Sequence, residues 1–239
     1  MIVPVALGLA VARSGESTEV RLMEPTSLRA LYGLKPVAAL SARSTALVLV
    51  DFQNEFFTGR LPLPEAKSAL ANAVALTNFA RASGIRVVHV SNLVNRPNSP
   101  LFAPGSRGVE PVPALAPGTQ DWRITKSMAG AFSRTDLDQR LREQGIDTLL
   151  IAGLMTHLAV TVTANDASVL GYRVVVAGDA TATRTLPAAR AKSSVASTPR
   201  ANRAVVDARI LQTVALAALA DRAADVLPTQ EILALPVEP

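Results

Sequence analysis

The sequence predicts a three-layer α/β/α protein, in which a parallel β-sheet is flanked by helices on both faces. Two observations support this fold class: strand-like and helix-like segments alternate along the chain, and the strand-like segments are apolar on both sides. A strand without polar alternation is typical of a sheet whose two faces are both covered. Ligands in such folds bind outside the carboxyl ends of the strands. Candidate functional residues are therefore expected at those ends.

Five apolar segments are predicted as strands, at residues 45–51, 85–91, 121–126, 147–153 and 172–180. After the first strand, apolar residues at helical spacing predict a helix that ends at Gly84, and a second predicted helix ends at Gly145. Thr135, with Asp138 three residues later, predicts a variant capping box at the start of that second helix. A third helix is expected over residues 157–170, and a long C-terminal helix over residues 204–224.

One principal domain is predicted over residues 45–239, because a chain of 239 residues is marginal for two domains. Residues 1–44 are expected to form an N-terminal extension, in which TSLRALYGL is a helix packing on the domain or on a neighbouring subunit. Residues 92–118 form a long loop rich in Pro, Gly, Asn and Ser, a type that often serves as a lid or binding loop. Its Arg96 and Arg107 favour a ligand with carboxylate or carbonyl groups.

Composition narrows the classes of partner. The chain has a net charge of +5 and a pI of about 10.2, but its twenty arginines are scattered and concentrate only within residues 184–203. Aromatic residues make up 4%, whereas a nucleic-acid surface needs a basic face with stacking aromatics. The apolar start lacks a preceding positive segment and is too short to span a bilayer. We therefore expect a cytoplasmic protein without nucleic-acid or membrane partners.

Three residues near the ends of predicted strands are candidates for chemistry. Asp51 ends the first strand, Lys126 ends the third, and Ala159 follows the fourth in the first turn of a helix. Singly, an Asp or a Lys after a strand is typical of a turn or of a solvated side chain. At the binding edge of one sheet, however, the two charged residues predict an acid–base and cation pair.

Three segments of the sequence resemble the isochorismatase-like cysteine hydrolases, which include nicotinamidases, carbamoyl-group amidases and isochorismatases. The segments are ALVLVDFQNEF, ITKSMAGAFSRTDLDQRL and LLIAGLMTHLAVTVTANDASVLGYRVVVAGDATAT, and the resemblance covers residues 45–187. GLMTHLAV is most similar to the amide-hydrolysing members, which have a Cys at the position of Ala159. The resemblance implies a hydrolase that acts on a C–N bond (amide, ureide or lactam) of a small molecule.

The resemblance also gives each strand-end residue a role. Lys126 and the helix N-terminus would lower the pKa of a thiol at position 159. Asp51 would accept the thiol proton and pass it to the leaving ammonia or amine. The backbone N–H groups of Met155 and Ala159 would form the oxyanion hole, next to a cis peptide bond at Leu154–Met155.

Four further residues are predicted to bind the substrate or to support the pocket. Gln53, two positions past Asp51, is expected to touch the substrate or to orient that carboxylate. Phe57 is expected to line the entrance, and Trp122 to pack in the pocket wall. His157 lies in the first helical turn, where isochorismatases of the family also tend to carry His; a supporting role is more typical of such a residue than catalysis.

No metal and no other cofactor are predicted. Nicotinamidases of the family hold a metal through an Asp and His cluster after the second strand, whereas this chain has only His89 there and no Asp-x-His. A single His without carboxylate partners is a poor metal site. Related proteins are often oligomers, so the resemblance also implies a homo-oligomer.

Ala159 leaves three functions open, because the chain has no cysteine and a methyl group cannot attack a carbonyl. The first is an amidase whose Cys has been replaced by Ala, which is favoured because the groups suited to a thiolate all remain. The second is vinyl-ether hydrolysis of the isochorismatase type, in which Asp51 donates a proton without a thiol. Lys126 argues against the raised pKa that this second reaction needs. The third is a small-molecule binding protein that has lost the reaction.

Overall fold

The computed structural model describes residues 24–96, 98–188 and 204–239. Its strands are β1 Leu40–Ser41, β2 Thr45–Val50, β3 Arg86–Asn92, β4 Trp122–Lys126, β5 Thr148–Leu154, β6 Arg173–Ala182, β7 Leu186–Pro187, β8 Val205–Val206, β9 Asp225–Leu227 and β10 Val237–Glu238. Six of them form one parallel sheet in the spatial order β4-β3-β2-β5-β6-β9. The apolar start of the chain and most of the basic stretch 184–203 lie outside the described residues.

Helices cover both faces of this sheet, which confirms the predicted three-layer architecture. They are α1 Leu28–Leu31, α2 Ala66–Ala82, α3 Leu137–Glu143, α4 Thr161–Val169, α5 Ala208–Arg222 and α6 Thr229–Leu233. The buried face of α2 packs with α6 on one side of the sheet, and α3, α4 and α5 pack on the other. β2 and β5 are buried at every position because both of their faces are covered, which explains their unbroken apolar sequence.

The five predicted strands agree with the structure, but the C-terminal region is more divided than predicted. The helix expected over residues 204–224 begins only at Ala208, because Val205–Val206 pairs with β7 and the Asp207 carboxylate caps the helix by accepting from the Arg209 amide. The short strand β9 and the short helix α6 were not predicted. Both are too short to show a periodic pattern in the sequence.

The predicted capping box of α3 is wrong. The Asp138 carboxylate accepts a hydrogen bond from the Tyr172 hydroxyl at 2.6 Å and pairs with Arg142 one turn further along the helix. The Thr135 hydroxyl donates to the Ala131 carbonyl at 2.6 Å and accepts from the Leu137 amide at 3.4 Å. The Asp138 carboxylate is engaged by Tyr172 and Arg142 and does not complete the capping box.

The described part of the N-terminal extension packs on the same chain. α1 lies within the predicted helical stretch TSLRALYGL, and the Leu28 amide donates to the Asp221 carboxylate at 2.8 Å. Arg29 pairs with Asp225 at 2.7 Å, and β1 adds to β10 as a short parallel pair. Within the described ranges, no helix has both the length and the apolar character needed to cross a bilayer.

Candidate active site

Strand register brings the three strand-end residues to one cavity. Val50, the last residue of β2, pairs with Val90 on one side and with Gly153 on the other. Asp51, Lys126, Met155 and Ala159 all line a cavity of about 450 Å³ at this edge of the sheet, and the amine of Lys126 lies 2.6 Å from the carboxylate of Asp51. The prediction that these residues meet at the carboxyl ends of parallel strands therefore agrees with the geometry.

The Asp51 carboxylate has one oxygen engaged and one available. Its Oδ2 accepts from Lys126 Nζ, whereas its Oδ1 is buried without a hydrogen-bond partner in the described part of the chain. The residue itself has φ of +56°, in the left-handed region that non-glycine residues rarely adopt. A buried acceptor without a partner is unfavourable unless a ligand supplies a donor. Oδ1 is therefore the atom best placed to exchange a proton with a molecule in the cavity.

Burial raises the pKa of Asp51 to about 6, although the charge of Lys126, its hydrogen bond and the nearby Asn92 amide act to lower it. The expectation that Lys126 would prevent a raised pKa is therefore wrong. The side chain of Asp51 is 4% exposed, and at this burial the cost of removing a carboxylate from water exceeds the attraction to one ammonium group. A carboxyl group with this pKa can accept or donate a proton near neutrality.

Lys126 is the last residue of β4 and lines the cavity from the end of that strand. The side chain is 2% exposed and also donates to the carbonyl of Met128 at 3.3 Å. The loop that follows β4 is held against α4 by the Thr163 hydroxyl, which accepts from the Ala131 amide at 3.0 Å. The ammonium group is thus held on two sides by fixed acceptors.

Position 159 lies in a π-helical turn, Thr156–Val160, that directly follows β5. The Met155 carbonyl accepts from the amides of Leu158 and Val160, at 3.1 and 3.2 Å, and the Ala159 amide between them is not one of its donors. The peptide bond Leu154–Met155 is cis, as the family resemblance implied. The turn therefore presents a buried Cβ beside the amide groups assigned to an oxyanion hole.

Glycine is required at the end of β5. A Cβ on Gly153 would lie 2.6 Å from the Cβ of Val50, well inside contact distance. The absence of a Cβ at Gly153 lets β5 approach β2 closely at the ends of the two strands that line the site. The distance between Asp51 and the π-helical turn depends on this approach.

Gln53 and Trp122 do not occupy the places predicted for them. The Gln53 amide donates to the carbonyls of Asn92 and Val109, at 2.9 and 2.8 Å, and its oxygen accepts from the Asn92 amide at 2.8 Å. Gln53 thus joins the end of β3 to the following loop. Trp122 lies at the amino end of β4, away from the cavity, with the guanidinium groups of Arg86 and Arg140 over its ring.

Phe57 and His157 lie beside the cavity lining. Phe56, and not Phe57, forms part of the wall, where its ring packs edge-on against that of Phe102 at a centroid distance of 5.4 Å. Phe57 packs against the core. His157 is hydrogen-bonded through Nδ1 to the Thr183 hydroxyl, and burial, with a smaller contribution from the charge of Arg184, lowers its pKa. These contacts support His157 as a neutral structural partner of the end of β6.

Arg184 is a cavity residue that was not predicted from the sequence. It lines the cavity beside Leu158, and its Nε is buried without a hydrogen-bond partner among the residues described. In the sequence, Arg184 belongs to the basic stretch 184–203, and Arg96 and Arg107 of the loop 92–118 were predicted as ligand contacts. The loop 92–118 instead lines the cavity with Val94, Ser99, Pro100, Leu101 and Phe102. Because Arg184 follows the carboxyl end of β6, the strand-end rule could have found it.

His89 has a carboxylate partner, contrary to the expectation from the sequence. Its Nε2 lies 3.1 Å from an oxygen of Asp121, which also pairs with Arg81 at 2.5 Å. This cluster involves the residue just before β4, at the amino end of that strand. In the part of the chain that the structure describes, no group of three or more His, Asp or Glu side chains could hold a metal ion.

Comparison with known proteins identifies the family. The isochorismatase domain model matches residues 45–210. The chain belongs to the isochorismatase family. The secreted isochorismatase effector Isc1 of Verticillium dahliae is 30% identical over 196 residues, which cover 82% of this chain and 93% of that protein. Streptothricin hydrolase of Streptomyces noursei is 34% identical over 154 residues, which cover 64% of this chain and 60% of that one.

A solved isochorismatase from Pseudomonas putida KT2440 has the same fold. It is 30% identical, has a TM-score of 0.74, and the match covers 87% of this chain and 99% of that chain. The sequence and structural likenesses extend over the strands whose ends line the cavity. The protein is thus an isochorismatase-family hydrolase with its candidate site at the carboxyl edge of the sheet.

Proposed function

We propose that the cavity is an amidohydrolase site for small amides that carry a carboxylate, with Ala159 in the position of the nucleophile. The observation that carries the proposal is the buried Asp51–Lys126 pair, 2.6 Å apart, beside a π-helical turn with Ala159 at its inner side. Streptothricin hydrolase and the maleamate amidohydrolase of Pseudomonas putida, which is 32% identical over 152 residues, support hydrolytic chemistry in this family.

The arrangement suits a thiol at position 159 in three ways. The Lys126 ammonium and the start of the helix favour a thiolate over a thiol. The free Oδ1 of Asp51 can take the thiol proton and return it to the leaving nitrogen as the C–N bond breaks. The amides of Met155 and residue 159 can donate to the carbonyl oxygen as it gains negative charge. With Ala159, substrate binding is retained but the sulfur–carbon bond cannot form.

Arg184 and the cavity walls suggest the class of substrate. The walls are largely apolar and include Phe56, Val94, Leu101 and Phe102. The guanidinium of Arg184 adds a buried donor to this lining, and a carboxylate is the group that matches its geometry. A small acyl amide with a carboxylate at its far end satisfies both features.

A second candidate is proton donation by Asp51 to a vinyl ether, without any thiol. The pKa of Asp51, about 6, favours this reaction because an appreciable fraction of the carboxyl group is protonated near neutrality. In that case the chain with Ala159 is the active form, and Asp51→Asn abolishes pyruvate release from isochorismate.

Ammonia release separates these functions. A panel of small amides, ureides and lactams with and without a carboxylate is incubated with this chain and with Ala159→Cys; lactam opening is followed by mass. We expect turnover only with Ala159→Cys. Asn165→Cys, an exposed position on α4, controls for a thiol elsewhere in the chain.

Two other outcomes are informative. Pyruvate release from isochorismate by the unaltered chain, with no amide turned over by Ala159→Cys, would contradict the amidohydrolase proposal in favour of the second candidate. Calorimetric binding of an amide that neither variant hydrolyses would instead indicate a binding protein.

A further inference from the structure

We infer that Gln212 is a positioning residue for the reaction, acting on the π-helical turn from helix α5 without touching the substrate. This inference rests on the proposed function for its catalytic consequence. Its structural basis is independent of the substrate, because Gln212 borders a separate cavity of about 540 Å³ between α2 and α5. That cavity contains neither Asp51 nor Lys126.

The Gln212 side chain bridges two elements of the site. Its Oε1 accepts from the hydroxyl of Thr156, the first residue of the π-helical turn, at 2.7 Å. Its Nε2 donates to the hydroxyl of Thr181, near the end of β6, at 2.8 Å, with longer contacts of 3.3 Å to two carbonyls. The amide therefore joins the turn after β5 to the neighbouring strand.

The direction of each hydrogen bond in this network is determined. The Thr181 hydroxyl uses its only proton to donate to the Gly178 carbonyl at 2.8 Å, so it must accept from Gln212. The Gln212 amide nitrogen thus faces β6, and its oxygen is left to accept from Thr156. A carboxylate at position 212 could still accept from the Thr156 hydroxyl, but it could not donate to the Thr181 hydroxyl. Glutamine is therefore specifically suited to this place.

The network holds the segment that carries the reacting groups. Thr156 is fully buried, and its carbonyl accepts from the hydroxyl of Thr161 at 2.6 Å. The turn is consequently held at its start through Gln212 and closed at its end through Thr161. Met155 and Ala159, whose amides are assigned to the oxyanion hole, lie within or directly beside this span. A shift of Thr156 would move both amides relative to Asp51 and Lys126.

A thiol introduced by Ala159→Cys reports on this geometry without any substrate. Its pKa depends on its distance from Lys126 and from the helix N-terminus. The rate of alkylation by iodoacetamide, measured from pH 5 to 9, gives that pKa directly. We expect Gln212→Leu in the Ala159→Cys background to raise the thiol pKa by about one unit, which slows alkylation roughly tenfold at a pH below the pKa of the parent thiol.

Matched variants distinguish positioning from general destabilisation. Gln230→Leu makes the same chemical change at an exposed site on α6 and should leave the alkylation profile unchanged. Thr156→Val should slow alkylation in the same direction as Gln212→Leu, and the double variant should be no slower than Gln212→Leu alone, because the bond that Thr156→Val removes is already lost there. Gln212→Glu should give an alkylation rate between those of the parent and Gln212→Leu, because it keeps the acceptor for Thr156 and loses the donor to Thr181. Thermal melting of each variant verifies that it is folded at the assay temperature.

The outcomes separate this inference from the proposed function. If Ala159→Cys hydrolyses an amide, Gln212→Leu should lower kcat with little change in KM. If no amide is hydrolysed, the alkylation profiles still test the positioning role. A folded Gln212→Leu variant with the alkylation profile of its parent would overturn the inference, as would additive effects of Gln212→Leu and Thr156→Val.

Discussion

Asp51 and Asp121 are two carboxylates at opposite ends of the same parallel sheet, and each lies within 2.6 Å of a basic side chain. One oxygen of Asp121 accepts from Arg81, from the Gly118 amide and from His89. Asp51 accepts from Lys126 through one oxygen, and its other oxygen is buried without a partner among the described residues. The two groups are similarly placed in the sequence, next to strand ends, but their hydrogen bonding differs.

This difference sets the two pKa values apart. Burial raises the pKa of Asp121, but three donors outweigh it and lower the pKa below its ordinary value. Burial also raises the pKa of Asp51, and there the Lys126 ammonium and the nearby Asn92 amide do not compensate, so the pKa is about 6. A carboxylate with several donors stabilises structure, whereas one with too few donors is available for proton transfer.

The largest expected effect is on turnover. Asp51→Asn in the Ala159→Cys background should reduce kcat/KM for an amide by roughly 10²- to 10⁴-fold, because it removes the group that exchanges the proton. Asp121→Asn, made in the same background, should leave kcat/KM nearly unchanged. Ammonia release under identical conditions measures both. Equal losses in the two variants would contradict the comparison.

The second prediction concerns stability against pH, where the two carboxyl groups should act in opposite directions. Because the pKa of Asp51 is raised from 3.8 to about 6, the folded state holds its proton while the unfolded state ionises. The contribution of Asp51 to the free energy of unfolding should therefore fall by about 3 kcal/mol as pH rises from about 4 to 6. Asp121 has a lowered pKa in the folded state, so it should stabilise the protein at pH values above its pKa in the unfolded state. This stabilisation should be lost as pH falls through its pKa in the folded state.

Urea unfolding at several pH values, from 3 to 8, checks these signs. Relative to the unaltered chain, Asp51→Asn should become more stable as pH rises through the interval between the two pKa values. Asp121→Asn should become relatively less stable as pH rises from 3. The same slope for both variants would show that the two carboxyl groups do not differ as described.

A smaller effect is expected at Arg184. Arg184→Gln in the Ala159→Cys background should raise KM for a carboxylate-bearing amide by roughly tenfold or more, the loss of one charge-assisted hydrogen bond. An amide of the same size without a carboxylate provides the control, and its KM should change little. A similar change in KM for both substrates would indicate that Arg184 shapes the cavity without recognising a carboxylate.

The smallest effect is expected from Arg81, which is 42% exposed. Arg81→Gln should lower the free energy of unfolding by about 0.2–1 kcal/mol, because exposed ion pairs contribute little. The amide-hydrolysing rate in the Ala159→Cys background should be unaffected. A loss above 3 kcal/mol in urea unfolding would mean that the Asp121 cluster depends on Arg81 far more than its exposure indicates.

The sequence alone determined the fold class and the three residues that meet at the candidate site. Unbroken apolar strands indicate a sheet covered on both faces, and Asp51, Lys126 and Ala159 follow from the rule that ligands bind at the carboxyl ends of such strands. These features depend on periodicity and position along the chain, which are local properties. The family resemblance added the cis peptide bond at Leu154–Met155, which the structure contains.

Only the tertiary structure decided which polar side chains face the cavity and which hold the framework. Gln53 and Trp122 stand close to Asp51 and Lys126 in the sequence, yet one binds loop carbonyls and the other stacks with arginines at the far end of its strand. Arg184 and Gln212 are distant in sequence and meet the site only through β6 and α5. Even the pKa of Asp51 depends on burial by several elements at once, because desolvation is a property of the packed surroundings and cannot be read from neighbouring residues.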